Sequence, residues 1–264
     1  MDSTMLKEQA RQYGADLVGI APASSWETWP GSQNPRHIQP KCQSVIVIGR
    51  RILRGALRGV EEGTSFGNTY GNYGKGWNEM LFLVRTVHQV ALALEAVGAE
   101  AVPLLGGGAG LDSKALAYEA GLGSLGKGGF FLTPEYGHRQ RFGLILTDVA
   151  LQGDTRADLD FCADCDACLQ ACRLLAMVNV GGDAGFALDT QLCAVCQNGK
   201  VNGDSLSYER IDRIAAACGR ACMVALEDKV GNRFNETFRK RSIWTRDING
   251  QASVHPLLSK GATK

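Results

Sequence analysis

The chain has 264 residues, a formal net charge of +1 and nine cysteines. Such a length buries one large core or two modest ones, and so balanced a charge argues against a general nucleic-acid or membrane-surface binder. No stretch approaches the roughly 18 consecutive apolar residues of a membrane span.

In chain order, the opening MDSTMLKEQARQYGADLVG has neither an apolar run nor a twin-arginine signal. It reads as the first helix of a folded domain (Met5 to Tyr13, stopped by Gly14) rather than as a targeting peptide. Ala15 to Ile20 reads as a strand. The segment 21–44, with Pro30, Pro35 and Pro40 and with Trp26 and Trp29 among polar residues, reads as loop. Ser44 to Gly49 (SVIVIG) is a near-continuous apolar run, the pattern of a buried strand. Gly63 to Gly76, rich in Gly, Asn and Tyr, reads as a loop or lid. From Trp77 to Val97 apolar residues recur at helical spacing, and Gly98 stops the helix. A strand is predicted at Ala101 to Leu105, then GGGAG at 106–110, a helix from Asp112 to Ala120, and GLGSLGKGG at 121–129. Phe130 to Thr133 and Arg141 to Thr147 are predicted strands separated by a turn at Pro134 and Gly137. The expected organisation is a mixed α/β (α+β) core over 1–150, a cysteine-rich module over 151–227 and a polar, basic tail over 228–264. That tail is expected to wrap the body, with its last residues disordered.

The cysteine module carries the strongest signal. Cys162, Cys165, Cys168 and Cys172 follow C-x2-C-x2-C-x3-C within FCADCDACLQAC. Three thiolates two residues apart on a tight loop wrap three corners of a [4Fe–4S] cube, and in two-cluster ferredoxins the fourth serves the other cluster. Cys193, Cys196, Cys218 and Cys222 form a second group, C-x2-C-x21-C-x3-C. Crossed ligation of the ferredoxin kind assigns Cys162, Cys165, Cys168 and Cys222 to one cube and Cys172, Cys193, Cys196 and Cys218 to the other. The irregular second spacing leaves open one cluster with a four-cysteine zinc site or with free pairs. Cys42, alone upstream, reads as a half-buried free thiol. Arg173 and Met223 stand where ordinary ferredoxin motifs have proline. A disulfide framework is disfavoured by chain length and by the cluster spacing, which places the protein in a reducing, cytoplasmic setting.

The run GLGSLG at 121–126 matches G-x-G-x-x-G, but it follows a predicted helix and enters a predicted strand, the reverse of a dinucleotide site. Gly121, Gly126 and Lys127 fit a P-loop until Gly128, which replaces the magnesium-binding Ser or Thr. The loop (Gly121, Gly123, Ser124, Leu125, Gly126, Lys127) is either a close backbone approach to a large flat ligand or a turn packed on the preceding helix.

Taken together, ADLVGIA, SVIVIG, DSKALAYEAGLGSLGKGGFFLTPEYGHRQRFGLILTDVAL and FCADCDACLQAC resemble the epoxyqueuosine reductase and reductive dehalogenase group over about residues 5 to 225. The resemblance implies a nitroreductase-like α/β core cradling a corrinoid (cobalamin), with a ferredoxin-like two-cluster iron–sulfur module against it. It further implies that electrons from a donor such as a ferredoxin or flavodoxin pass through two [4Fe–4S] clusters to cobalt, while a nearby acid protonates the product. Two features depart from the family: Asp112 lies nine residues before Gly121, with no Pro-Glu after it, and the C-terminal helical repeats of many tRNA-acting members are not seen. Candidate proton donors are Asp112, which also has the position of a helix N-cap, Tyr70 and Tyr73 in the Gly/Tyr loop, and His138 in the polar turn TPEYGHR. The expected function is reduction of a small organic substrate, by dehalogenation or deoxygenation, with no membrane partner and nucleic acid unexpected. The alternatives are an iron–sulfur electron carrier for a partner enzyme and a reductase using FMN.

Overall fold

The computed structural model describes residues 2–105, 110–181, 185–197, 200–203, 209–238, 242–247, 249 and 252–256. Most of the GGGAG run and the tail beyond 256, which was expected to be disordered, lie outside them.

Helix α1 (Ser3–Gln12) is capped by Asp2, whose carboxylate accepts from the Met5 amide, and Gly14 at φ +102° turns the chain into β1 (Leu17–Pro22). Then come β2 (Ser44–Arg51), the short α2 (Arg58–Glu62), α3 (Val84–Glu95) and β3 (Ala101–Leu105). Helix α4 (Ser113–Glu119), the small strands β4 (Ser124–Leu125) and β5 (Phe131–Leu132), and β6 (Gln140–Thr147) complete the core. Strands β1, β2, β6 and β3 form one antiparallel sheet in that order. Alternate residues of β2 feed two different apolar clusters. Val45 and Val47 face Leu144, Leu116 and Trp26, whereas Ile46 and Ile48 face Leu6, Val87 and Ile145. Helices cover both faces, which is why the strand reads as continuously apolar rather than alternating.

The Gly/Tyr segment is not a lid. Gly67–Gly76 and Asn78–Leu83 are π-helical turns running directly into α3. Glycine makes the wider winding possible here: a Cβ at Gly74 would stand 2.5 Å from the Tyr70 ring, which folds back against it.

The cysteine module is built from α5 (Ala167–Gln170), β7 (Met177–Asn179), β8 (Phe186–Leu188), α6 (Thr190–Ala194), β9 (Val201–Asn202), β10 (Ile211–Asp212) and α7 (Ala217–Leu226). Two apolar clusters join it to the core. One unites Phe130 and Leu132 with Cys168, Cys222 and Leu226; the other unites Leu57 and Tyr70 with Ile214, Met223 and Phe238. The tail docks through Phe234 and Phe238, whose amides both donate to the Glu227 carboxylate, while Arg54 and Arg139 stack on the Phe234 ring. It then forms a hairpin of β11 (Ser242–Arg246) and β12 (Ala252–Pro256), a regular element that its polar composition does not announce.

Candidate metal centres and the adjoining cleft

Each cysteine is placed by a local device. The Cys165 amide closes a turn on the Cys162 carbonyl, and α5 then carries Cys168 inward. Asp189 caps α6 by accepting from the Leu192 amide, which fixes Cys193, and the Cys196 amide closes back on the Cys193 carbonyl. Helix α7 carries Cys218 and Cys222 one turn apart, on the same face.

These placements gather the thiols into two sets around two cavities. One, of about 330 Å³ counting the part open to solvent, is lined by Cys162, Cys165, Cys168 and Cys222. The other, of about 380 Å³ on the same measure, is lined by Cys172, Cys193, Cys196 and Cys218. Helix α7 therefore runs past both and gives one cysteine to each. Among the described residues no three His, Cys, Asp or Glu side chains converge tightly enough to hold a metal ion. The thiols stand around spaces rather than around a point. Burial pushes the Cys168 thiol up to about 11 and the Cys218 thiol up to about 12, and raises Cys193 and Cys222 as well. Thiols so placed stay protonated without a cation, and ligation replaces the proton. Cys42 lines neither cavity. It is fully buried, donates to the Ser44 carbonyl at 3.4 Å, and burial holds it near 11.

The glycine loop has an internal role. A Cβ at Gly128 would stand 2.6 Å from the Cys168 sulfur, and one at Gly126 3.0 Å from the Cys162 sulfur. Gly121 abuts the Thr155 carbonyl and Gly123 the Leu132 carbonyl. Ser124 exchanges hydrogen bonds with the backbone of Leu159, and the Lys127 ammonium donates to the Ala163 carbonyl at 2.6 Å. Leu125, 61% exposed, touches solvent instead. At Gly126 and Gly128 the backbone of this loop approaches the cysteine turn closely, with β4 and β5 paired beside it.

The candidate proton donors part company. Asp112 does cap α4, accepting from the Lys114 and Ala115 amides, and it lines an open cleft of about 1620 Å³ of unfilled space, counting the part open to solvent. Lys114, Glu209, Arg210 and Arg213 line the same cleft, and Lys114 pairs with Glu209 at 2.9 Å. Leu188 and Arg213 are shared between this cleft and the second cysteine cavity. Tyr70 does not reach a cavity. It is fully buried, donates to Asp212 and accepts from Arg141 at 2.8 Å, and burial raises its phenol well above the usual value. Tyr73 is 47% exposed, stacks on Trp77 and lines a different cavity with Arg50, Arg51 and Asn78. His138 is not a solvated turn residue. Its Nε2–H donates to the Gly219 carbonyl at 2.8 Å, its ring lies against Phe130, and burial lowers it to about 4.

The residues that sequence reading passed over are Arg141, Asp212 and Arg213. Arg141 and Asp212 are wholly buried and paired at 2.8 Å, with Glu79 3.3 Å from the same guanidinium. Burial alone would raise the Asp212 carboxyl, but the Arg141 charge and the Tyr70 hydroxyl hold it below the usual carboxylate range. For Asp212 and Arg213 the signal is present in IDRIAAAC, where an acid and a base sit inside an apolar run.

Two independent kinds of comparison find reductases similar to this chain. No protein-family model matches it. Its homologues are epoxyqueuosine reductases and reductive dehalogenases. An epoxyqueuosine reductase of Synechocystis is 30% identical over 186 residues, covering 69% of this chain and 57% of that protein. A tetrachloroethene reductive dehalogenase of Desulfitobacterium hafniense is 25% identical and covers 99% of this chain and 52% of that one. The chain thus spans about half the length of the curated relatives it matches. The fold is shared with a reductive dehalogenase whose structure suggests a mechanism for B12-dependent dehalogenation, at TM-score 0.55 and 17% identity over 94% of this chain and 39% of that one. It is also shared with the epoxyqueuosine reductase of Streptococcus thermophilus, at TM-score 0.54 and 15% identity over 86% and 82%. No helix among the described residues is long and apolar enough to cross a membrane.

Proposed function

We propose that the chain is an oxidoreductase holding two [4Fe–4S] clusters, one on each cysteine quartet, which serve a reduction site in the Asp112 cleft. The observation that carries this reading is the sorting of eight cysteines into two quartets around separate cavities, crossed as in two-cluster ferredoxins. When bound, the clusters supply one-electron transfer and a corrinoid supplies reductive chemistry at its metal. The cleft is wide enough for an organic ligand, and it borders the second quartet through Leu188 and Arg213. Asp112 stands at its edge with a carboxyl able to give a proton to a product. The Lys114–Glu209 pair also lines the cleft, and the Lys114 ammonium donates to the Gly129 carbonyl, tying the pair to the glycine loop. The relatives' names point to two substrate classes, a halogenated organic compound and a modified nucleoside. One epoxyqueuosine reductase has been solved with a modified tRNA stem loop, so an even charge balance is no ground for dismissing nucleic acid in this group.

The test is iron, cobalt and zinc analysis of protein prepared without oxygen and incubated with a cobalamin. About eight irons and near-stoichiometric cobalt support the reading. Eight irons without cobalt turn it into a carrier or a flavin-dependent reductase, and four irons with zinc overturn the two-cluster assignment.

A further inference from the structure

Arg213 stands where three spaces meet. It lines the second cysteine cavity and the Asp112 cleft, and its guanidinium lies 4.5 Å over the ring of Phe130, a wall of the first cysteine cavity. One arm donates to the Gly128 carbonyl at 2.8 Å, the turn pressed against Cys168, and the other reaches the Met177 sulfur at 3.6 Å. The residue is 5% exposed, and among the described residues no carboxylate lies within ion-pair distance of it. An arginine keeps its charge even when buried, and a charge so enclosed is little screened by salt.

From this juxtaposition, and resting on the two-cluster reading above, we infer that Arg213 is a positioning and tuning residue that raises the reduction potential of both clusters. Each cluster takes up one electron and becomes more negative by one charge. A fixed positive charge beside it favours that reduced form, and net charge, hydrogen bonding and exposure are the protein's levers on cluster potential. Other cations lie near single cavities, Lys200 and Arg173 beside the second and Lys127 beside the first. Arg213 differs in bordering the second cavity directly and the first through Phe130 and the Gly128 turn.

The experiment is an EPR-monitored redox titration with dithionite of the anaerobically reconstituted full chain, comparing the parent, R213Q and R213K at equal iron content. In R213Q the reduced-to-oxidised ratio at a fixed potential should fall at least tenfold for both clusters, which for one electron is a 59 mV drop. R213K, which keeps the charge but loses the fork to Gly128 and Met177, should stay within about threefold of the parent. R213Q loaded with iron and titrating like the parent would overturn the inference. If R213Q fails to hold iron, R213K decides alone: midpoints near the parent's support the charge effect, and a tenfold fall rejects it. A parent chain that takes up no iron would instead sink the cluster reading on which this rests.

Discussion

The sheet and the cysteine module solve the same folding problem with different materials. Strands β2 and β6 are eight residues each and buried almost throughout, with helices sealing both faces. The module has strands of two or three residues and, before α7, helices of four and five. The sheet draws its stability from apolar surface removed from water, about 25 cal/mol per Å². The module has too little regular structure for that and, on the cluster reading proposed above, depends on ligation, as small metal-bound domains do. The largest predicted effects follow from this contrast. C168S and C222S should each remove the same set of about four irons, and C172S and C218S the other about four. Hydrogen exchange should then show module amides opening while those of β2 and β6 stay protected. If C218S and C222S deplete the same set, α7 does not divide its cysteines between the cavities.

The seam between the two regions is where the next effect lies. Arg141 comes from the sheet, Tyr70 and Glu79 from the π-helical segment, and Asp212 from the module, all buried together. Breaking one partner of a buried ion pair typically costs about 3–5 kcal/mol, because the remaining charge stays desolvated. D212N should therefore lower the denaturation midpoint of the whole chain by that order, although Asn fills nearly the same space. A loss under about 1 kcal/mol would mean that the Arg141–Glu79 contact suffices and the seam is not fastened by charge.

How far the sequence disclosed these regions depends on what kind of signal each uses. The β2 run SVIVIG and the α4 cap at Asp112 are written in local chemistry, and both stand where periodicity and capping rules put them. Cysteine spacing likewise pairs each quartet with one cavity. The π-helical turns at Gly67–Gly76 were hidden, since glycine and asparagine are read as loop formers and only the packing of Tyr70 onto Asp212 makes the wide winding worthwhile. GLGSLG misdirected for a related reason. A glycine marks close approach without saying to what: Gly121 and Gly123 meet the Thr155 and Leu132 carbonyls, and Gly126 meets Leu132 and the Cys162 sulfur. His138 falls in the same class, because burial by a segment some 80 residues away leaves no mark on neighbouring residues.

His138 offers a pH-dependent probe of the same contact between sheet side and module. Its Nε2–H is committed to the Gly219 carbonyl, and among the described residues its Nδ1 has no hydrogen-bond partner. Protonation must therefore put a charge beside Phe130 with nothing to receive it. The folded value of about 4 lies below the ordinary 6.5, so the unfolded chain binds the proton first. Stability from the neutral imidazole is complete above pH 6.5 and drains away as pH falls toward 4, by on the order of 3 kcal/mol. H138Q, which keeps a donor for Gly219, should flatten the stability profile between those limits. A parent and variant with parallel profiles would show that the imidazole already finds water.

The smallest effect on stability separates two roles for one carboxylate. Asp112 caps α4 through its Oδ1, which accepts from the Lys114 and Ala115 amides at 2.9 and 3.1 Å. Asparagine is as good an N-cap as aspartate, whereas alanine loses typically about 1 kcal/mol. D112N should then melt like the parent within a few tenths of a kcal/mol, and D112A should lose about 1 kcal/mol. An amide cannot give up a proton as a carboxylic acid does, so turnover distinguishes what melting cannot. If Asp112 supplies the product's proton, D112N is as inactive as D112A despite its intact helix. If the carboxylate only starts α4, D112N keeps parental turnover, and the proton must come from solvent entering the open cleft.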